Sequence, residues 1–489
     1  MLENIKAVKF GAPAAERDIN QGLKKYFIET GAFDRLKSNK KSIILGNRGT
    51  GKSALMKMLA DYYKNQGSIV IEMTPENYSY DLLQSTMIKE EEGSWAKVSA
   101  FTAAWKYLLY VLAMKKYAST LKKVVFKTTA KNIHKYLRDN HKLNSNSFLD
   151  IFISYLKRIE GFKIGTYEAG IKTKQLQDLF KLEELLELLP ELEKLTDKKP
   201  IIILIDELDI GWDASEDAQL FVAGLFQAVL ALNEMNDNFR IIISLRKELH
   251  NNIPTLYEDY QKNIDLFENL EWDEESLFKL ITERIKYSIT DLRYDSIQEI
   301  WNVIFEEEVL GRSSFEYIVS RSLYRPREII QLCTESQNRA VEKRVDKIGV
   351  NSIVTAEAKY SENRTKDISA EYKFQYSHLI NLFEVFRGKN CYYTRVELEE
   401  FCQKILNGDI KTGVKLEWMD GQNEEYLINV LWQVGFLSAK TSATIKNKSC
   451  DDFWGPHQVS LVNLSNINNF AIHPMFRLYL GIKEDLDIE

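Results

Sequence analysis

Cysteine, histidine and proline are scarce in this chain, and each scarcity excludes something. The 489 residues hold four cysteines, Cys333, Cys391, Cys402 and Cys450, with no Cys-x-x-Cys pair among them. That spacing offers neither a zinc ribbon nor a disulfide framework, and it leads us to expect a reducing, cytoplasmic setting. The histidines, His134, His141, His250, His378, His457 and His473, are scattered, so they give no sign of a nuclease or metal cluster. Eight prolines leave little room for long disordered linkers. Long apolar runs are missing too. Trp105 to Met114, the most apolar helical segment, is too short to span a bilayer and carries Lys106. The opening Met1-Leu-Glu-Asn-Ile-Lys6 lacks the apolar core of a signal peptide, so no membrane partner is expected. Positive charge is not in excess: 65 Lys and Arg stand against 71 Asp and Glu, a formal net charge of -6. Nucleic acid would therefore need a local basic patch. With 45% hydrophobic and 28% charged residues the composition is that of a globular protein, long enough for two to four domains.

The richest stretch is Ser42 to Leu59. Within it Gly46-Asn47-Arg48-Gly49-Thr50-Gly51-Lys52-Ser53 fits the phosphate-loop pattern GxxxxGK[ST] without a mismatch. Ile43-Ile44-Leu45 before it suits a buried strand, and Leu55, Met56, Met58 and Leu59 after it suit a helix packed on a sheet. Glycines let successive backbone N–H groups converge on a phosphate, and the helix N-terminus adds its partial positive charge. Lys52 would reach the β- and γ-phosphates, and the Ser53 hydroxyl would ligate magnesium. A second signal begins at Ile201: Ile201-Ile-Ile-Leu-Ile-Asp206-Glu207-Leu-Asp209 reads as a buried central strand ending in acids. Acids at a strand's C-terminal end sit where open α/β sheets bind ligands. Asp206 would hold magnesium through water, and Glu207 would orient an attacking water. A third strand, Phe239 to Arg246, ends in Ser244 and Arg246, where a γ-phosphate sensor is expected; a structural arginine is the alternative.

These signals predict an α/β fold: the parallel sheet of a P-loop NTPase with a helical insertion, a helical lid and a C-terminal winged-helix module. The expected segments are 1–84 and 198–264 for the two parts of the ATPase core, with an insertion at 85–197 between them. The lid follows at 265–367 and the winged-helix-like domain at 368–489. Residues 14–27 read as a helix that either covers an adenine or simply packs. Residues 265–347 read as all-helical, and helices are expected at 373–387, 394–406 and 423–434, with strands near 436–440 and 468–473. From Lys115 to Lys142 the chain carries Lys115, Lys116, Lys122, Lys123, Lys127, Lys131, Lys135, Arg138 and Lys142 against Asp139 alone. That run is either a contact for nucleic acid or an acidic partner, or a solvated helix face.

Taken together, these motifs resemble the AAA-like and STAND group of P-loop ATPases, and in particular bacterial stand-alone ATPases of the kind found in anti-phage defence loci. The resemblance rests on Ala-Glu-Arg-Asp at 15–18, Gly211-Trp212 after the acidic strand, Arg325-Pro326-Arg327, and Ile472-His473-Pro474-Met475-Phe476-Arg477. It also extends to the architecture of archaeal and eukaryotic initiator ATPases. What it implies is ATP bound at Gly46, Asn47, Arg48, Gly49, Thr50, Gly51, Lys52, Ser53 and Ala54, with Mg2+ at Ser53 and Asp206. It further implies a catalytic acid at Glu207, a first sensor at Ser244 or Arg246 and a second at Arg327, although Tyr324 stands where such lids carry glycine. The expected function is an ATP-hydrolysing regulatory switch controlling self-assembly or a separate effector protein; the alternative is a DNA-engaging initiator or loader. The would-be recognition helix, Glu424 to Gln433, begins with two acids and is otherwise largely apolar, which suits packing better than reading a groove.

Overall fold

The computed structural model describes residues 2–38, 40–74, 94–120, 130–140, 185–208, 214–253, 262–289, 296–445, 448–458 and 463–484. Asp209, Gly211, Trp212, His141, Lys122, Lys123, Lys127 and Lys142 lie outside the described residues. The chain divides into two compact units. One comprises residues 29–47 and 52–270, the other residues 1–28, 48–51 and 271–489.

The first unit is built on a parallel sheet. Its strands are β1 (Ile43–Gly46), β2 (Ile69–Met73), β3 (Ile201–Ile205), β4 (Phe239–Arg246) and β5 (Phe267–Asn269), in the spatial order β2-β3-β4-β1-β5. All four pairings are parallel. Every residue of β3 is buried, as a strand covered on both faces requires. Helix Lys52–Asn65 starts at the end of the glycine loop and buries Leu55, Met56, Leu59, Ala60 and Tyr63, a stripe of i, i+3 and i+4 spacing.

Helix Ser94–Thr120, from the inserted segment, shares one core with the sheet. It lies against helix Glu216–Met235, where Gly224 permits close approach: a Cβ there would stand 2.5 Å from the Phe101 Cβ. The Trp105 indole N–H donates to the Phe221 carbonyl at 3.1 Å. Among the described residues one stretch, Ala218–Met235, is long and apolar enough to cross a membrane, and most of it is buried in this core.

The second unit joins the N-terminus, the helices of the lid and the C-terminal module around one core running from Ile5 to Ile482. The N-terminal helices Ala15–Gln21 and Leu23–Tyr26 are parted by Gly22, whose φ of +119° is open to glycine. Lid helices Glu274–Ser288, Pro326–Lys343 and Val350–Glu371 follow. Asp273 caps the first by accepting from the Ser276 N–H, and Pro326 opens the second, where its missing N–H costs nothing.

The expectation of an all-helical 265–347 needs correcting. It overlooked β5 as well as a small hairpin of β6 (Glu308–Val309) and β7 (Arg312–Ser313), all too short to carry a periodic signal. The helix expected at 373–387 is shorter, Leu379–Glu384, because the chain turns at 372–378 and His378 takes a left-handed φ of +58°. The winged-helix module then has a four-stranded antiparallel sheet of β8 (Tyr392–Thr394), β9 (Leu437–Ile445), β10 (Lys448–Trp454) and β11 (Asn469–Ile472), ordered β10-β9-β11-β8. Helices Arg395–Leu406 and Glu424–Gln433 fall close to their expected places.

Candidate nucleotide-binding site

In the sheet unit the register brings the candidate residues to one edge. β4 lies between β3 and β1, with Ile205 opposite Ile243 and Ile44 opposite Ser244. Asp206, one residue past β3, thus meets Ser244, whose hydroxyl donates to the Asp206 carboxylate. Both side chains are buried. Gly46, the first loop glycine, pairs with Arg246, so the sensor candidate on β4 stands beside the start of the loop. Lys52 is the first residue of its helix, and its ammonium donates to the carbonyls of Gly46 at 2.8 Å and Asn47 at 3.1 Å. Ser53 and Ala54 follow in the same first turn, half-buried. Glu207 adopts a left-handed backbone, φ +59°, rare for a residue with a side chain and costing about 1 kcal/mol. The Ser53 hydroxyl and the Asp206 carboxylate are hard oxygen donors, the kind magnesium takes.

In the other unit, the carbonyls of Arg48, Gly49 and Thr50 accept hydrogen bonds from the lid. Gly49 and Gly51 have φ of +87° and +97°, which L side chains avoid, and a Cβ on Gly49 would press within 3.2 Å of the Arg327 Cβ. The Arg327 backbone N–H donates to the Gly49 carbonyl at 3.3 Å, while its side-chain Nε donates to the Pro13 carbonyl at 3.1 Å. Arg325, two residues earlier, is buried; its Nη1 donates to the Arg48 carbonyl at 3.1 Å and to Glu371 at 2.7 Å. The Trp272 indole donates to the Thr50 carbonyl at 2.8 Å. The reading of the sequence singled out neither Trp272 nor Arg325 in this role. Only the arginine stood near a motif, and a lone tryptophan 222 positions from its partner leaves no trace in sequence spacing. Tyr324, which replaces the glycine usual at its place, takes a φ of +55°, the conformation a glycine would hold without strain.

Several motif residues have structural partners. Asp18 of the Ala-Glu-Arg-Asp stretch accepts from Tyr26 Oη at 2.7 Å and from Arg284 at 3.1 Å, all buried. His473 caps helix Pro474–Leu480, its Nδ1 accepting from the Met475 N–H at 3.2 Å. Arg477 donates Nε to the Ile472 carbonyl at 2.7 Å.

The basic run is only partly a surface. Lys115 is buried, a correction to its place in the candidate nucleic-acid contact at 115–142. It falls four and seven residues after buried Val111 and Leu108, on the helix stripe that faces the core. Lys116, Lys131, Lys135 and Arg138 are exposed, and Arg138 pairs with Asp139 at 2.8 Å. Helix Glu424–Gln433 buries Leu427, Ile428, Val430, Leu431 and Trp432.

Comparison with known proteins adds the following. Residues 9–222 match the ORC-CDC6-like family model, and residues 275–369 match that of the FunZ-associated C-terminal helical domain. The chain is 24% identical over 488 residues to the putative transposon gamma-delta 80.3 kDa protein of Escherichia coli K12, covering 98% of this chain and 68% of that protein. It is 26% identical over 131 residues to the allergen Alt a 2 of Alternaria alternata, 27% of this chain and 68% of that protein. Among solved structures it is similar to the ORC2 protein of Aeropyrum pernix in its ADPNP–ADP complexes, with a TM-score of 0.36 and 11% identity over 95% of this chain and 92% of that one. Residues 9–222, which match the ORC-CDC6-like family model, carry the glycine loop after β1 and the acidic end of β3.

Proposed function

We propose that this protein binds and hydrolyses ATP as a regulatory switch, a component of anti-phage defence whose nucleotide state controls self-assembly or a separate cytoplasmic effector protein. The observation that supports the reading is the sheet register, in which Asp206 bonds Ser244 and Arg246 pairs with Gly46, the residue that opens the phosphate-loop sequence. In this reading residues Gly46 to Ala54 cradle the phosphates, with Lys52 supplying charge to the β- and γ-phosphates. Ser53 and Asp206 hold Mg2+, which when bound screens the phosphate charge. Glu207 accepts a proton from the attacking water and orients it. Ser244, already bonded to Asp206, or Arg246 detects the γ-phosphate, and Arg327 serves from the lid. The test is a steady-state ATPase assay joined to mass measurement with ATP and with ADP, on protein purified alongside the products of its native neighbouring genes. Turnover together with a nucleotide-dependent change in assembly or effector capture supports the switch. Absence of turnover and of any mass change overturns it.

A DNA-engaging initiator or loader is the second reading, favoured by the ORC-CDC6-like match. Against it stand the burial of Lys115 and the apolar packing of helix Glu424–Gln433. A DNA contact through lysines would give affinity that falls with salt at a log–log slope of roughly -0.9 per duplex phosphate. Tight binding of that kind, lost when Lys122, Lys123, Lys127, Lys131 and Lys135 all become glutamine, would put the loader first.

A further inference from the structure

We propose that Trp272, Arg325 and the Arg327 amide act as a backstop that orients the phosphate loop, making Trp272 and Arg325 positioning residues for nucleotide binding; this rests on the reading that the loop binds a nucleotide phosphate. Three successive loop carbonyls each accept from a different lid donor. The Arg48 carbonyl accepts from Arg325 Nη1, the Gly49 carbonyl from the Arg327 N–H and the Thr50 carbonyl from Trp272 Nε1. Among the described residues none of the peptide bonds is cis. In a planar trans peptide the C=O and the N–H point in opposite directions. Pinning the three carbonyls toward the lid therefore turns the N–H groups of Gly49, Thr50 and Gly51 to the other side, as a row of converging donors. A row of that kind, with left-handed glycines in it, is an anion-binding concavity.

Each donor is well suited to holding still. The Arg327 N–H lies in the first turn of helix Pro326–Lys343, where it has no intrahelical acceptor and carries part of the helix's positive end. Arg325 is buried between Glu371 at 2.7 Å and Glu328 at 3.7 Å, which fix its guanidinium. Glu328 is itself held by the Leu323 N–H at 2.7 Å. Glu371 is the last residue of helix Val350–Glu371, so one guanidinium ties the loop to the helix that leads into the C-terminal module. Gly49, which faces the Arg327 side chain, lets the loop come this close.

The experiment uses the full chain and compares wild type with Trp272→Phe, Arg325→Lys and, as a control on the loop, Lys52→Ala. ATP and ADP affinities are read by calorimetry, KM and kcat by turnover, and thermal midpoints with and without nucleotide. Loss of one hydrogen bond behind the loop should weaken both nucleotides roughly threefold to tenfold in Trp272→Phe. KM should rise by the same factor with kcat within about twofold, the signature of uniform binding. The nucleotide-free midpoint should stay put while the rise induced by ADP shrinks. Arg325→Lys, which keeps the charge but loses the planar fork, should weaken binding in the same way. If Lys52→Ala binds as well as wild type, the phosphate-loop reading itself fails. If Lys52→Ala loses affinity while Trp272→Phe and Arg325→Lys bind like wild type, the loop reading stands and the backstop is wrong. A fall in the nucleotide-free midpoint of Trp272→Phe at unchanged affinity likewise overturns it.

Discussion

Lys52 is held over its own loop by the carbonyls of Gly46 and Asn47, so its charge is already in place for a phosphate. Lys52→Ala leaves the loop with backbone dipoles alone. A charge-assisted hydrogen bond is worth about 1.5–3 kcal/mol, so nucleotide affinity should fall roughly 10- to 100-fold. A titration with a fluorescent ADP analogue reads this directly, and equal affinity in the variant would remove the loop from the site. Glu207 presents the other residue-scale test. Its left-handed backbone is maintained at the end of β3, and strain kept in this way points to a placed side chain. Glu207→Gln should retain ATP and slow hydrolysis by about 100-fold, the scale of lost base assistance. Turnover at the wild-type rate would pass the role to another acid.

At the scale of elements, the N-terminal helices are fastened to the lid by a buried charge network. Asp18 accepts from Tyr26 and from Arg284, Arg284 also donates to the Phe10 carbonyl at 2.7 Å, and its guanidinium lies 4.4 Å from the Tyr26 ring centre. Burial, followed by the bond to Asp18, pushes the Tyr26 hydroxyl upward, so it remains a donor across the accessible range. Gly11 leaves room for the pair: a Cβ there would fall 2.1 Å from Arg284 Nη1. Asp18→Ala would strand a buried guanidinium, a change that typically costs about 3–5 kcal/mol. A urea titration should show the midpoint of this unit fall well below that of wild type. An unchanged midpoint would mean that the network contributes no net stability.

For the molecule as a whole, two histidines link stability to pH: His473 is buried, and His457 is half-buried with both ring nitrogens enclosed. Burial, with the Arg325 charge second, holds His457 down at about 3, and neither of its ring nitrogens finds a hydrogen-bond partner among the described residues. Burial, with His457 second, pushes His473 well below its ordinary value. The His457 ring lies 5.1 Å from that of Tyr324 and 5.6 Å from that of His473. Both imidazoles stay neutral in the fold, whereas the unfolded chain takes up protons below about pH 6.5. Stability contributed by neutral burial is thus complete above pH 6.5 and drains away as pH falls toward 3, at about 1.4 kcal/mol per pH unit for each group. His457→Phe should flatten this dependence. Urea midpoints at pH 7.5 and 5.5 check it: the drop between the two should be smaller in the variant, and an equal drop would assign the effect elsewhere.

What could be read from the chain alone was what local chemistry determines. A strand followed by a glycine loop and a helix was legible because sheet packing, positive φ and a helix start are each encoded within a few residues, and β1 with helix Lys52–Asn65 occupy those places. The apolar run of β3 announced a central strand for the same reason. The winged helix was legible in its helices, whose caps and apolar stripes are local, and less so in β8 and β10. β5 was not legible: its three residues carry no period, and they become a strand only because β1, more than 200 positions earlier, offers an unpaired edge. The place of Lys115 in a basic run suggested a surface, yet its helix turns it toward the core. Which donors stand behind the phosphate loop was decided by tertiary structure alone. Trp272 and Arg325 meet carbonyls 222 and 277 positions away, and a backbone carbonyl is the same in every residue, so nothing in the sequence marks which ones will be held.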